Sequence, residues 1–188
     1  MSLSDHDFEE ATSQIAYEMY HFRCLAQIYR EGNRGRGLWW QLVSQSLLLH
    51  LRILIEFFYW DTRNARDISI RHFIERDDFP CPLELHSPPL TITLVSSTPN
   101  RPEEMSLRQV KEALDQRLIH FGKGRSTGYH PGHEDYALCF DDLERRIRAF
   151  RTALPKDLKS VFDFKLSQLV GRVKCLSAPI REGPSLTW

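Results

Sequence analysis

Leu42 to Trp60 is the most apolar stretch of the chain, and it limits what the chain can fold into more than any other. It is about as long as a membrane span. However, His50, Arg52 and Glu56 interrupt it within two turns, and charge of that density is costly in hydrocarbon. The stretch therefore reads as a buried helix running from Leu38 to Trp60. Leu47, Leu51, Leu54 and Phe58 keep helical spacing while Leu48, Leu49, Ile53, Ile55 and Phe57 fill the other faces. A helix apolar nearly all round needs neighbours on several sides, which predicts a central element.

The neighbours can be read from the same periodicity. Phe8, Ala11, Ile15, Met19, Phe22, Ala26 and Tyr29 recur at steps of three and four, predicting an amphipathic helix over Ser4 to Glu31, with Ser4 and Asp7 at its start. The Gly32 to Gly37 connection is short, so this helix and the central one are expected to form an antiparallel hairpin. Ile68, Ile70, Phe73 and Ile74 predict one short capping helix. From Pro80 to Pro102 the prolines at 80, 82, 88, 89, 99 and 102 exclude a helix and predict an extended excursion, with Leu90 to Val95 alternating as a strand or hairpin arm. A third long helix is expected to start directly after Pro102, with Glu103 and Glu104 at its positive end, and to stop at Gly122. Tyr136, Phe140, Leu143, Ile147 and Phe150 define a fourth, ended by Pro155. The last thirty residues predict a further short helix and an irregular tail over 176–188. The fold class is thus mainly all-α: one domain over 1–188, an antiparallel helical bundle of four to five helices with a Pro-rich excursion over 80–102 and one short strand or hairpin.

The chain has 188 residues, with 25 Lys plus Arg against 25 Asp plus Glu. That balance removes any global electrostatic attraction to nucleic acid or anionic membrane, so a basic site must be local. The acidic N-terminal stretch predicts no export signal, and Cys24, Cys81, Cys139 and Cys175 are too scattered for a disulfide framework, so a cytoplasmic chain with free thiols is expected. His120, His130 and His133 lie close in sequence, but no Cys or carboxylate cluster completes a ligand set, so no metal is expected. Walker loops, dinucleotide fingerprints, nucleophile elbows and zinc-protease motifs are absent, as is any DNA sequence-reader motif, and no cofactor is implied.

The chemistry concentrates at the end of the third helix. Arg117 and His120 are three apart and so neighbour each other on a helix surface. Beside them Lys123 and Arg125 open the next loop. An imidazole can move a proton while guanidinium and ammonium groups stabilise the charge of a phosphorane-like transition state. The structural alternative is equally concrete: Arg117 lays its stem on apolar surface and His120 sits at a helix C-terminus, where a cation is favoured. Arg145, Arg146, Arg148 and Arg151 put arginine on much of the fourth helix, read as a solvated face. If that face lay beside Arg117, Lys123 and Arg125, Arg148 would join a phosphate-binding patch. In the central helix Arg52 and Glu56 are four apart and form a structural ion pair, with His50 placed in the same polar network. Trp39 and Trp40 read as anchors of that helix.

The string Leu114-Asp115-Gln116-Arg117-Leu118-Ile119-His120, together with His50-Leu51-Arg52-Ile53-Leu54-Ile55-Glu56-Phe57-Phe58, resembles the HEPN-like superfamily of small bacterial helical proteins. The resemblance implies an antiparallel helical bundle, frequent homodimers and, in active members, a metal-independent RNase using an Arg and a His on a late helix near the dimer interface. Active members space that pair more widely than Arg117 and His120 stand here, and inactive relatives serve as binding modules. The expectations are therefore RNA or nucleotide interaction, with or without RNase activity. The alternatives are a non-catalytic protein-interaction module or a component of defence or toxin-antitoxin systems.

Overall fold

The computed structural model describes residues 3–31, 38–59, 68–86, 91–93, 104–118, 137 and 139–176. Within them the protein is mostly helical: α1 (Asp5–Glu31), α2 (Leu38–Tyr59), α3 (Ile70–Ile74), α4 (Leu83–His86), α5 (Leu107–Leu118), α6 (Phe140–Ala153) and α7 (Lys156–Leu176), with strands β1 (Thr91–Thr93) and β2 (Glu104–Ser106). The Gly32–Gly37 connection, residues 60–67, most of the Pro-rich excursion, the loop over 122–132 and the tail from 177 lie outside the described residues.

Helix α1 begins where its cap dictates. The Ser4 hydroxyl oxygen accepts the Asp7 N–H at 3.2 Å while Asp7 accepts the Ser4 N–H at 2.7 Å, a reciprocal arrangement that satisfies two of the helix's orphan donors. Phe8, Ile15, Met19, Phe22, Ala26 and Tyr29 are all buried. Helix α1 packs on α2 and on α7, and α2 packs also on α3, α5 and α6. Glu18 faces His50 while Ala11 and Phe57 line one groove, so α1 and α2 run antiparallel. The window Leu42–Tyr59 has the length and hydropathy of a membrane span, and half of it is buried inside the structure. Its covering is incomplete, because Leu42 and Leu49, two turns apart, stay exposed.

Phe150 on α6 is the hub of the core. Phe57, Phe73, Phe79 and Phe162 surround it at ring-centroid distances of 5.4, 5.1, 6.1 and 6.4 Å, tying α2, α3, α6 and α7 together largely through edge-to-face contacts.

Four expectations need correction. First, α5 starts at Leu107 rather than directly after Pro102, because Glu104–Ser106 pairs antiparallel with Thr91–Thr93 in the register Thr91↔Ser106, Ile92↔Met105, Thr93↔Glu104. The start is set by a second capping box: Ser106 N–H donates to Gln109 Oε1 at 2.8 Å, and the Gln109 N–H donates back to the Ser106 hydroxyl at 3.4 Å. Second, the Pro-rich stretch admits one helical turn, α4, since Pro82 sits just before it, where a missing N–H costs nothing. Third, the final helix has 21 residues. Pro155, which ends α6, also opens α7, accepting the Lys159 N–H at 2.7 Å, and the stripe Leu158, Phe162 and Leu169 carries the helix on.

The fourth concerns the arginines of α6, which are not all solvated. Arg146 is 1% exposed. It stands three residues after Leu143 and four before Phe150, on the face those residues bury. Its guanidinium lies 4.2 Å from the Tyr59 ring centroid and donates to Asp142 at 3.2 Å. Asp142 also accepts from Arg145 and from the Tyr59 hydroxyl. Burial alone would raise the Asp142 carboxyl, but Tyr59 and the two guanidiniums hold it below the usual carboxylate range. Burial, and then the bond to Asp142, push the Tyr59 phenol far above its ordinary value.

Candidate functional site

Helix α5 is docked on α2 by four charges arranged alternately. Along α2, Arg52 and Glu56 approach to 3.3 Å; along α5, Lys111 and Asp115 approach to 2.8 Å. Across the seam the Arg52 Nε donates to Asp115, and Lys111 Nζ lies 4.0 Å from Glu56. Each pair is four apart on its own helix, so each helix presents one cation and one anion to the other. Burial pushes the Asp115 carboxyl up, and Lys111 and Arg52 more than reverse this, so it titrates below its usual range. The square is neutral in sum and fixes where the last turn of α5 sits.

That last turn carries Arg117, whose helical position follows Asp115 by two residues. The side chain of Arg117, and the residues His120, Lys123 and Arg125, lie outside the described residues, as do His130 and His133. Arg148 is described: its side chain is 78% exposed on α6, 3.8 Å from Glu144, and Glu144 is itself gripped by Arg23 through two bonds of 2.8 Å. The face around Arg148 is therefore interleaved with carboxylates. Among the described residues no group of three or more His, Cys, Asp and Glu side chains is placed to hold a metal.

His50 does not join the Arg52–Glu56 network. Residues two apart on a helix point to opposite sides, and His50 turns instead toward α1, where its Nδ1 stands 2.6 Å from the buried Glu18 carboxylate. The other Glu18 oxygen accepts from Gln14 Nε2 at 2.6 Å. His21 stacks on His50 with ring centroids 5.3 Å apart and planes 12° from parallel, and Tyr17 closes on His21 at 4.3 Å. Burial first, and the neighbouring His50 second, lower the His21 pKa below its ordinary value; Glu18 opposes them only in part. The Tyr20 phenol, one turn before Cys24, is pushed up to about 12 by burial and by the thiol. The cluster is a carboxylate-oriented imidazole stacked on a second imidazole whose protonated form is disfavoured by burial.

Compared with protein-family models, curated proteins and solved structures, the chain gives no match.

Sequence reasoning missed Glu18, His21, Lys111 and Asp115. One signal was present for Glu18: it falls between Ile15 and Phe22, at three and four residues from two stripe positions, so a carboxylate there must find a partner. Nothing in the sequence names His50 as that partner.

Proposed function

We propose that this protein is a HEPN-like helical protein, homodimeric and cytoplasmic, that binds RNA or a nucleotide at the end of α5 and uses Arg117 and His120 on the phosphodiester without a metal. Its finer architecture is an antiparallel bundle in which α1, α2, α5, α6 and α7 are the long members. One observation carries the reading. The two stretches on which the resemblance rests are some sixty residues apart in sequence, and the first lies in α2 while Leu114 to Leu118 of the second lie in α5, two helices that pack on each other and are joined by Arg52 and Asp115.

The chemistry assigned to the pair is simple. The His120 imidazole takes the proton of a ribose 2′-hydroxyl, whose oxygen attacks the adjacent phosphorus; the bond from phosphorus to the 5′-oxygen breaks, that oxygen takes a proton from water and a 2′,3′-cyclic phosphate remains, while Arg117 offsets the charge that builds on the non-bridging oxygens. The test is metal-free RNA cleavage by wild-type chain, His120→Ala and Arg117→Ala, with folding followed by circular dichroism. Loss of cleavage in both folded variants is expected; absence of wild-type cleavage across varied RNAs refutes the nuclease.

The second reading, a non-catalytic module for a protein partner, draws on Leu42 and Leu49, which are 50% and 43% exposed and share one face of α2. Under it, Leu49→Glu abolishes partner or self-association while RNA binding plays no part.

A further inference from the structure

The chain has no net charge, yet one groove concentrates arginine. It lies between α1 and α6, has a volume of about 620 Å³, and is lined by Arg23, Gln27 and Arg30 from α1 and by Glu144, Arg148 and Arg151 from α6. Each set follows the spacing i, i+4, i+7, so each helix turns a single stripe toward the other. A second groove of about 720 Å³ shares Arg30, Glu144 and Arg148 and continues past Arg145. The two grooves adjoin along the line from Arg30 to Arg148.

The ion pairs around this groove differ in firmness. Arg23 and Glu144 make a fork with both carboxylate oxygens engaged, and the carboxylate is only 19% exposed. Arg30 pairs with Asp141 at 2.6 Å and Arg151 with Asp163 at 2.8 Å, but Asp141 is 91% exposed and the other three side chains are nearly half exposed. Partly exposed pairs of this kind are weak and exchange readily. A phosphate offers guanidinium the same fork geometry as a carboxylate and can replace such a partner, while Arg148, 3.8 Å from Glu144, lies beyond hydrogen-bond reach of it. Arg30 is steadied over the Phe140 ring at 5.6 Å. Phe22 and Phe140 beneath the groove are buried, so they present no face on which a base could stack. A ligand here is held by its backbone and not read by its bases.

We propose that the α1–α6 groove is a sequence-independent track for the RNA phosphodiester backbone, with Arg30, Arg148 and Arg151 exchanging Asp141 and Asp163 for phosphates and the Arg23–Glu144 fork holding the two helices at fixed separation. The inference rests on the RNA reading above and adds to it a binding surface formed by α1 and α6.

The test measures the affinity of a fluorescein-labelled mixed-sequence 20-nucleotide RNA by anisotropy between 50 and 200 mM salt, for wild-type chain, Arg148→Ala and the triple variant Arg30→Ala/Arg148→Ala/Arg151→Ala. Each phosphate contact contributes about −0.7 to the slope of log K against log salt. The single variant, whose side chain is well exposed and leaves the core untouched, should flatten the slope by about 0.7 and the triple variant by about 2, with weaker binding in that order. Unchanged slope and affinity in both variants, or no RNA binding by wild-type chain, overturns the track. Failure of the α5 reading looks different: slopes that flatten as expected in a wild-type chain that cleaves nothing support the track and refute the nuclease. Cleavage lost in His120→Ala beside unchanged slopes does the reverse.

Discussion

Removing the Asp142 carboxylate should cost more stability than any other single polar change among the described residues. The side chains of Asp142 and Arg146 are 5% and 1% exposed, and Asp142 is the acceptor for Tyr59, Arg145 and Arg146 together. In Asp142→Ala the Arg146 guanidinium stays in the core without its carboxylate and the Tyr59 hydroxyl loses its acceptor. Breaking a buried pair from one side costs about 3–5 kcal/mol. For a chain of this length that lowers the melting temperature by roughly 6–20 °C. Arg146→Met should cost less, about 2 kcal/mol, because Asp142 keeps Tyr59 and the half-exposed Arg145 as donors. The double variant Asp142→Ala/Arg146→Met removes both charges and should cost clearly less than the two single changes added, a coupling of about 3 kcal/mol. Urea unfolding of the four proteins at pH 7, followed by far-ultraviolet circular dichroism, measures all of these. An Asp142→Ala protein within about 1 kcal/mol of wild type, or a double variant whose cost equals the sum of the singles, refutes the argument.

Three further outcomes follow from the same geometry. His21 binds its proton less readily folded than unfolded, so its contribution is complete above the unfolded value near 6.5 and is lost as pH falls from there through the lower folded value; His21→Phe, which keeps a ring beside His50, Glu18 and Tyr17, should flatten the stability profile in that window. Asp115 is shifted down, so its contribution is present above about 3.8 and lost as pH falls through its folded value; Asp115→Asn should cost about 1 kcal/mol at pH 7 and converge on wild type at low pH in urea melts. Phe150→Ala empties the centre of the aromatic cluster and should cost about 3–5 kcal/mol, read as a lowered urea midpoint with unchanged slope.

What was legible in the sequence was whatever a single helix decides for itself. The Ser4–Asp7 cap, the α1 stripe and the Arg52–Glu56 pair depend on residues three or four apart, and each is visible in a string of letters. The Ser106–Gln109 box has the same local character, but Pro102, Glu103 and Glu104 offer an earlier start, which the pairing of Thr91–Thr93 with Glu104–Ser106 displaces. Arg146 reads as solvated by composition, as one of four arginines, whereas its spacing from Leu143 and Phe150 places it inside. The contacts that cross helices were a different matter. Glu18 with His50, Arg52 with Asp115 and Tyr59 with Asp142 span 32, 63 and 83 positions. No periodicity within one segment carries information of that range.

Those three contacts share a feature that bears on why α2 tolerates polar residues at all. Each joins α2 to a different helix: His50 to α1, Arg52 to α5, Tyr59 to α6. A helix apolar on nearly every face gains almost as much by sliding or rotating against its neighbours as by holding one position, since apolar burial has no direction. Hydrogen bonds and ion pairs do have direction, and a shift of one residue in α2 would take from Glu18, Asp115 and Asp142 the partner that each has on α2. His50 faces one side while Arg52 and Tyr59, seven residues apart, face the other, so rotation is opposed from both sides. The consequence reaches the proposed site, because the contact that sets the register of α2 against α5, Arg52 with Asp115, stands half a turn before Arg117 and thereby decides where the end of α5 can present it.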